Sequence, residues 1–239
     1  MASGKKAGLK ERVYPFRAVE RRLVSNHPGV RVLDIGCGVG ENLTRLRRYG
    51  GSPIGIDPTP GRVRDATAVS PSVAAVGEAL PFRDASVEMV YISHVLHHAR
   101  DIDTILRESF RVLVPGGLLF LIETVEDSPL LRLARRFRPR WDGDEVTNRF
   151  RYSELRNRVE RHGFELRGGT AFNWIFFAWE LLPMAFRPLE ILTPLFIALE
   201  SLLRRPLARW GAHAWLVAVK PGDSSMWGEV RPTGGVSLA

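Results

Sequence analysis

Short apolar runs alternate along most of the chain with segments whose apolar residues recur every three or four positions. RVLDI (31–35), PIGID (53–57), SVAAVG (72–77), VEMVYIS (87–93) and LLFLIET (118–124) are the runs. Runs this short and this apolar predict strands buried on both faces. Between them, ENLTRLRRYG (41–50) carries Leu43 and Leu46 at helical spacing and stops at Gly50. Thr59 and Pro60 supply an N-cap and a first-turn proline for a helix to about Val69. Asp101 caps DIDTILRESFRVL, which stops at Pro115-Gly116-Gly117. Upstream, PFRAVERRLVS (15–25) places Phe16, Val19 and Leu23 on one helical face. Downstream, Ser153 caps a helix to His162 that Gly163 ends; FELRGG leads into a sixth strand and AWLVAVK (214–220) forms a last one. Strand–helix alternation with apolar strands predicts an α/β fold: a doubly wound, mostly parallel sheet covered on both faces.

Two stretches break the alternation. Residues 126–150 are charged and irregular, and residues 172–210 are strongly apolar but interrupted by Pro183, Pro188 and Pro194. The expected organisation is one domain over residues 1–222, with a core at 30–125, insertions at 126–150 and 172–210, and a loose tail at 223–239. The length of 239 residues and a 45% hydrophobic content suit a globular domain with one sizeable core. A single cysteine, Cys37, excludes an intramolecular disulfide framework and fits a reducing, cytoplasmic setting. The N-terminus has charges with no apolar run behind them, so no secretory leader is read there, and no stretch is long enough to span a bilayer. The formal net charge of +8, carried mainly by arginine, admits anionic partners; a general arginine bias spread over the surface explains it equally well.

VLDIGCGVG (32–40) carries the chemistry. Gly36, Gly38 and Gly40 follow a strand and precede a helix, where a parallel sheet opens its ligand crevice. A tight turn needs one glycine, not three. The dinucleotide pattern G-x-G-x-x-G fails here, because Glu41 stands at its third glycine. Asp34, beside the loop, is a poor neighbour for a pyrophosphate and a good one for an ammonium group. A ligand with an amino-acid end and a nucleoside end meets both requirements. Asp57, 21 residues beyond Gly36 at the end of the second strand, is placed to grip a ribose diol.

With these motifs the sequence resembles the class I S-adenosylmethionine-dependent methyltransferases, in particular the small-molecule group (methyltransferase type 11) that includes the ubiquinone/menaquinone methyltransferases. VLDIGCGVGENL, IGIDPT, GEALPF, VYISHVLHHARD and RVLVPGGLLFLIE match its motifs in order, densely from Val30 to Val125. The resemblance implies a seven-stranded Rossmann-like sheet whose last strand is antiparallel, with S-adenosyl-L-methionine as cofactor. Asp34 and the backbone of Gly36, Gly38 and Gly40 would hold its methionine end, with His94 beside them. Asp57 would take the ribose, and Glu78 and Ala79 the adenine. Relatives often carry an aspartate where Val76 stands, so the adenine amino group needs another partner here.

His94, His97 and His98 fall within five residues. Packing at the sheet top is the plain reading, and a metal cluster is disfavoured for want of matching Cys or acidic spacing; no metal is expected. The catalytic reading, by the resemblance, pairs His97 with Glu123, each just past the end of its strand, as a base for a hydroxyl acceptor. In the resembled fold the connection before the last strand leaves from the cofactor side. FNWIFFAWELLPMAFRPLEILTPLFIALESLLRR (172–205) would then roof the pocket and imply an apolar or lipid-like small acceptor. A hydrophobic homodimer face, shallow contact with an anionic membrane and simple burial on the core stay open for the same segment, as does a non-catalytic module that docks through it. Nucleic acid is not expected: amino methylation of bases normally uses an Asn/Asp-Pro-Pro-aromatic run, and here the run is Ser93-His94-Val95-Leu96.

Overall fold

The computed structural model describes Tyr14, residues 16–137, 147–173 and 210–223, and the single residues Leu195, Ala198, Leu199, Leu202, Leu207 and Trp227. The chain runs α1 (Phe16–Ser25), β1 (Arg31–Ile35), α2 (Glu41–Arg48), β2 (Ser52–Asp57), α3 (Pro60–Thr67), β3 (Ser72–Ala74) and β4 (Val87–Ser93). A 3-10 turn (Leu96–His98), α4 (Ile102–Val112), β5 (Leu113–Thr124), α5 (Pro129–Phe137), α6 (Tyr152–Arg161), β6 (Glu165–Phe172) and β7 (His213–Val219) follow. One seven-stranded sheet has the order β3-β2-β1-β4-β5-β7-β6. β1 to β5 pair in parallel, and β7 runs antiparallel between β5 and β6. The chain winds outward from β1 to β3, then crosses back to β4. Neighbouring loops therefore part at the C-terminal ends of β1 and β4, which opens a crevice there.

Both faces of the sheet are covered because the strands have no polar face. Leu33, Ile35, Val90, Ile92, Leu119 and Leu121 pack with Ile102, Ile105 and Leu106 of α4 and Leu155 and Val159 of α6. The alternate residues Val32, Met89, Tyr91, Phe120 and Ile122 pack with Phe16, Val19 and Leu23 of α1 and Leu46 of α2. The period-2 alternation of strand side chains sends each set to its own layer.

The structure departs from the sequence-based expectations at several boundaries. β3 ends at Ala74, not residue 77, and Val76 beyond it is exposed. β5 begins at Leu113, since Val87 pairs with Leu113 before a register shift carries Met89 to Leu118; it runs to Thr124, so Glu123 lies inside the strand and not past its end. Thr59 occupies the N-cap of α3, but its side chain makes no capping bond. α6 starts at Tyr152, one residue before Ser153, and the Arg151 N–H donates to Glu154 Oε2 at 2.8 Å. The helix α5 stands in the stretch read as irregular. The expected loose tail contains one fixed point: Trp227 is buried, its Nε1–H donates to Gly116 O at 2.9 Å, and its ring meets His27. Most of the apolar segment 172–205, from Trp174 on, lies outside the described residues. No helix among the described residues is long and apolar enough to cross a membrane.

Candidate functional site

The glycine loop shapes the crevice by what its residues lack. Gly36 has φ of 74°, and a Cβ there would meet Val95 Cγ2 at 2.3 Å. The loop after β4 can therefore lie directly on the loop after β1. At Gly40, φ of 91° and a would-be Cβ 3.3 Å from Ala66 Cα let α3 approach. A Cβ on Gly38 would face open space. Four of the loop's N–H groups are already engaged. Gly36 and Cys37 donate to Ile56 O, Gly38 donates to Asp57 Oδ2 at 3.1 Å, and Gly40 donates to Cys37 O. The loop offers a ligand space and close approach, and Asp34 and Asp57 beside it supply charge.

A cleft of about 350 Å³ opens beside it, lined by Gly38, Asn42, Arg45, Ser93, His94 and Phe172 among others. Asp34 is fully buried behind Asn42 of that lining. Asn42 Nδ2 donates to its Oδ1 at 3.5 Å, while Oδ2 has no partner among the described residues. Burial pushes its carboxyl up to about 8 against the opposing pull of Arg45 and Asn42. A carboxyl in that condition invites a cation with N–H donors. Asp57, also buried, accepts from Gly38 N through Oδ2 and from Thr59 N at 2.9 Å through Oδ1. Each of its oxygens keeps a further lone pair for a ligand. Asp57→Ala is expected to weaken cofactor binding by about 1–3 kcal/mol, because both loop donors and any ribose hydroxyls lose their acceptor. Titration calorimetry with S-adenosylhomocysteine reads this, and an unchanged affinity would contradict it.

On the other side of the crevice, Glu123 of β5 is fully buried. Its Oε1 accepts from the N–H groups of Val95 (2.6 Å) and Leu96 (2.7 Å), and its Oε2 from Thr124 N (3.2 Å). His97 Nδ1 stands 2.7 Å from Oε2. A carboxylate can only accept, so Nδ1 donates and the ring's lone pair lies on Nε2. Asn148 holds the same turn from outside, donating through Nδ2 to Leu96 O and to Ala99 O. His94, at φ of 57°, lines the cleft, and its ring centre lies 6.3 Å from that of His97 and 5.4 Å from that of His213. Glu78 accepts from Arg100 N at 3.2 Å, and Ala79 is exposed beside it. Their loop reaches β1, since a Cβ on Gly77 would stand 3.1 Å from Ile35 Cγ2. Burial and the nearby Asp34 and Asp57 push the Cys37 thiol up to about 12, which leaves it protonated and inert. Among the described residues, no group of three or more His, Cys, Asp or Glu is placed to hold a metal ion.

The structure thus brings Asp34, the glycines, Asp57, His94, His97 and Glu123 to one end of the sheet. It adds residues that motif reading passed over: Tyr14 and Arg17 from the N-terminal side, Asn42, Arg45 and His213, all lining the cleft. One signal was available. Glu20 sits in the apolar stripe Phe16-Val19-Leu23 of α1, and a carboxylate at a core position requires a buried partner.

The sheet order, the antiparallel seventh strand and a switch-point crevice holding an acidic side chain at the end of each of the first two strands define a class I S-adenosylmethionine-dependent methyltransferase. Comparison with known proteins makes the assignment particular. Residues 33–121 match the family described as "Methyltransferase domain". An uncharacterized methyltransferase of Mycobacterium tuberculosis (strain ATCC 25618 / H37Rv) is 32% identical over 173 residues, covering 69% of this chain and 70% of that one. The mitochondrial ubiquinone biosynthesis O-methyltransferase of Homo sapiens is 33% identical over 104 residues, 39% of this chain and 28% of that protein. The fold is shared with an S-adenosylmethionine-dependent methyltransferase from Mesorhizobium loti, with a TM-score of 0.62 at 18% identity over 86% of this chain and 98% of that one. The chain belongs to this methyltransferase family, and S-adenosylmethionine is its cofactor.

Proposed function

We propose that the protein methylates a hydroxyl group of a small, apolar or lipid-like acceptor, with His97 as general base and Glu123 as its positioning residue. The observation that carries this reading is the 2.7 Å contact between His97 Nδ1 and the buried Glu123 carboxylate, at the rim of the cofactor crevice. When bound, the cofactor supplies an electrophilic methyl carbon on a sulfonium; oxygen–carbon bond formation accompanies carbon–sulfur cleavage. The protein then has two tasks: to align the acceptor oxygen and to remove its proton. His97 Nε2 takes the proton. Glu123 fixes the ring and favours the imidazolium that results, and is itself fixed by three backbone N–H groups. In this reading Asp34 pairs the cofactor's ammonium, Asp57 takes the ribose, and the loop at Glu78 and Ala79, with His94 on the opposite wall, completes the site. The fit rests on the unpartnered Oδ2 of Asp34 and the open space over Gly38.

The apolar character of the acceptor is argued from position and composition. β6 ends at Phe172, which lines the cleft, so the segment that follows departs from the cofactor side. A tritiated-methyl transfer assay across lipid, quinone and sugar extracts tests the acceptor class. Replacing residues 174–203 by a short Gly-Ser bridge tests the roof. The variant is expected to bind S-adenosylhomocysteine normally and to lose most transfer to the acceptor found. Full transfer by the shortened protein would rule the roof out.

A further inference from the structure

Asp34 Oδ2 and Arg17 Nε are among the buried polar side-chain atoms without a hydrogen-bond partner among the described residues. One is an acceptor and the other a donor. They stand at opposite ends of one hydrogen-bonded chain. Asn42 Nδ2 donates to Asp34 Oδ1 (3.5 Å), Arg45 Nη2 to Asn42 Oδ1 (2.7 Å), Arg45 Nε to Glu20 Oε1 (2.6 Å) and Arg17 Nη1 to Glu20 Oε2 (3.1 Å). Arg17, Asn42 and Arg45 line the same cleft as Gly38.

At the Glu20 end of this chain the charges do not balance. Two guanidinium groups, on Arg17 and Arg45, share the single fully buried carboxylate of Glu20. Arg45 is further satisfied by Asn42 and by the Tyr91 hydroxyl. Arg17 is not: beyond Glu20, its guanidinium meets among the described residues the face of the Phe16 ring, 4.9 Å from Cζ. An incompletely paired cation with 17% side-chain exposure is costly to keep. At the far end, Asp34 needs a cation with N–H donors. A ligand that completes both ends brings an ammonium to Asp34 and an anion to Arg17, and the amino-acid end of the cofactor carries one of each. The glycine loop cannot take the carboxylate through the N–H groups of its three glycines, because all three are engaged within the loop or by its neighbours.

We propose that Arg17 of α1 is the binding residue for the carboxylate of the cofactor's amino-acid end, facing Asp34, which takes the ammonium. This rests on the cofactor reading and extends it to a helix outside the strand–loop motifs. Nη1 stays on Glu20, so the Nε edge of the guanidinium, the side that grips a carboxylate with two parallel bonds, meets the ligand. α1 is thereby tied to the bound cofactor and closes one wall of the cleft.

The test is titration calorimetry on the full chain with three probes: S-adenosylhomocysteine, its carboxamide, and 5′-methylthioadenosine, which lacks the amino-acid end. Arg17→Met keeps the apolar stem and removes the donors. It is expected to weaken S-adenosylhomocysteine roughly ten- to a hundredfold and to leave 5′-methylthioadenosine within about twofold of the parent. The parent is expected to lose a similar factor with the carboxamide, and Arg17→Met to lose little more. Arg17→Lys should recover part of the loss. The unliganded melting temperature of Arg17→Met should not fall, since the substitution removes a poorly paired buried group. Undiminished binding of S-adenosylhomocysteine by Arg17→Met overturns the proposal. So does an equal loss for all three probes with a lowered melting temperature, which is the signature of a structural arginine. If the parent itself binds no S-adenosylhomocysteine, the cofactor reading fails first and the proposal with it.

Discussion

Replacing His97 by alanine is expected to lower methyl transfer by roughly 10²–10⁴-fold while the affinity for S-adenosylhomocysteine stays that of the parent. The imidazole supplies the proton acceptor and makes no contact on which cofactor binding depends in the proposed arrangement. Glu123→Gln is the sharper variant. The amide oxygen must occupy the Oε1 position, because the N–H groups of Val95 and Leu96 both point there. That places the NH₂ group at the Oε2 position, 2.7 Å from His97 Nδ1 in the parent. A donor facing Nδ1 makes Nδ1 the acceptor and moves the ring proton to Nε2. The base then cannot accept a proton, although the turn keeps two of its backbone bonds. Glu123→Gln should therefore lose most of what His97→Ala loses. Single-turnover transfer to the acceptor, with calorimetry as the control, measures both. Normal turnover by His97→Ala would make the pair a structural clasp and leave the chemistry to alignment alone.

The second large effect is a pH dependence of cofactor binding set by Asp34. Its carboxyl is raised to about 8 in the free protein by burial. Only the ionised form pairs an ammonium, so the competent fraction shrinks as pH falls below that value. For a group that ionises near 8 alone and stays ionised in the complex, affinity should be roughly fiftyfold tighter at pH 8 than at pH 6. Binding near pH 7 should release close to one proton, which appears as a dependence of the calorimetric heat on the buffer's ionisation enthalpy. The stability of the unliganded protein follows the opposite course. A carboxyl whose folded value is raised contributes stability that is fully present below its ordinary value, about 4, and is lost as pH rises through about 8. The unliganded melting temperature should therefore decline across that window, and the complex should decline less. Asp34→Asn should flatten both curves, binding weakly at every pH. Equal affinity at pH 6 and pH 8.5 in the parent would refute the assignment of Asp34 to the ammonium.

These expectations rest on residues that differ in how far the sequence alone revealed them. The fold was legible because its signals are local and repeated. Each strand from β1 to β5 is a run of apolar residues with no polar face, and such a run has few places to go but the middle of a covered sheet. Asp34, Gly36, Gly38, Gly40 and Asp57 were legible for a related reason. They sit at strand ends, where chain order alone fixes which residues meet a ligand in a doubly wound sheet. Glu123 was found as a candidate, but the start of β5 at Leu113 was not, because the register shift after Val87 that lengthens the strand is a property of pairing.

What tertiary structure decided is everything that depends on contacts between distant segments. Glu20, Arg45 and Tyr91 belong to three elements, and only packing of α1 over β4 joins them into one buried network. The engagement of the glycine N–H groups by Ile56 and Asp57 follows from the β1–β2 pairing; from sequence these groups look like donors waiting for a ligand. Trp227 stands in a stretch rich in Gly and Ser, yet is buried in the apolar cluster of Phe16, Val32 and Phe120, because a bulky ring finds its cavity wherever the fold leaves one. The sequence by itself determined the sheet, the crevice and the two acidic residues at the ends of its first two strands, since periodicity and chain order suffice for those. The tertiary structure decided how those charges are balanced. Charge balance is a sum over side chains brought together from α1, α2 and β4, and no single stretch of the chain contains it.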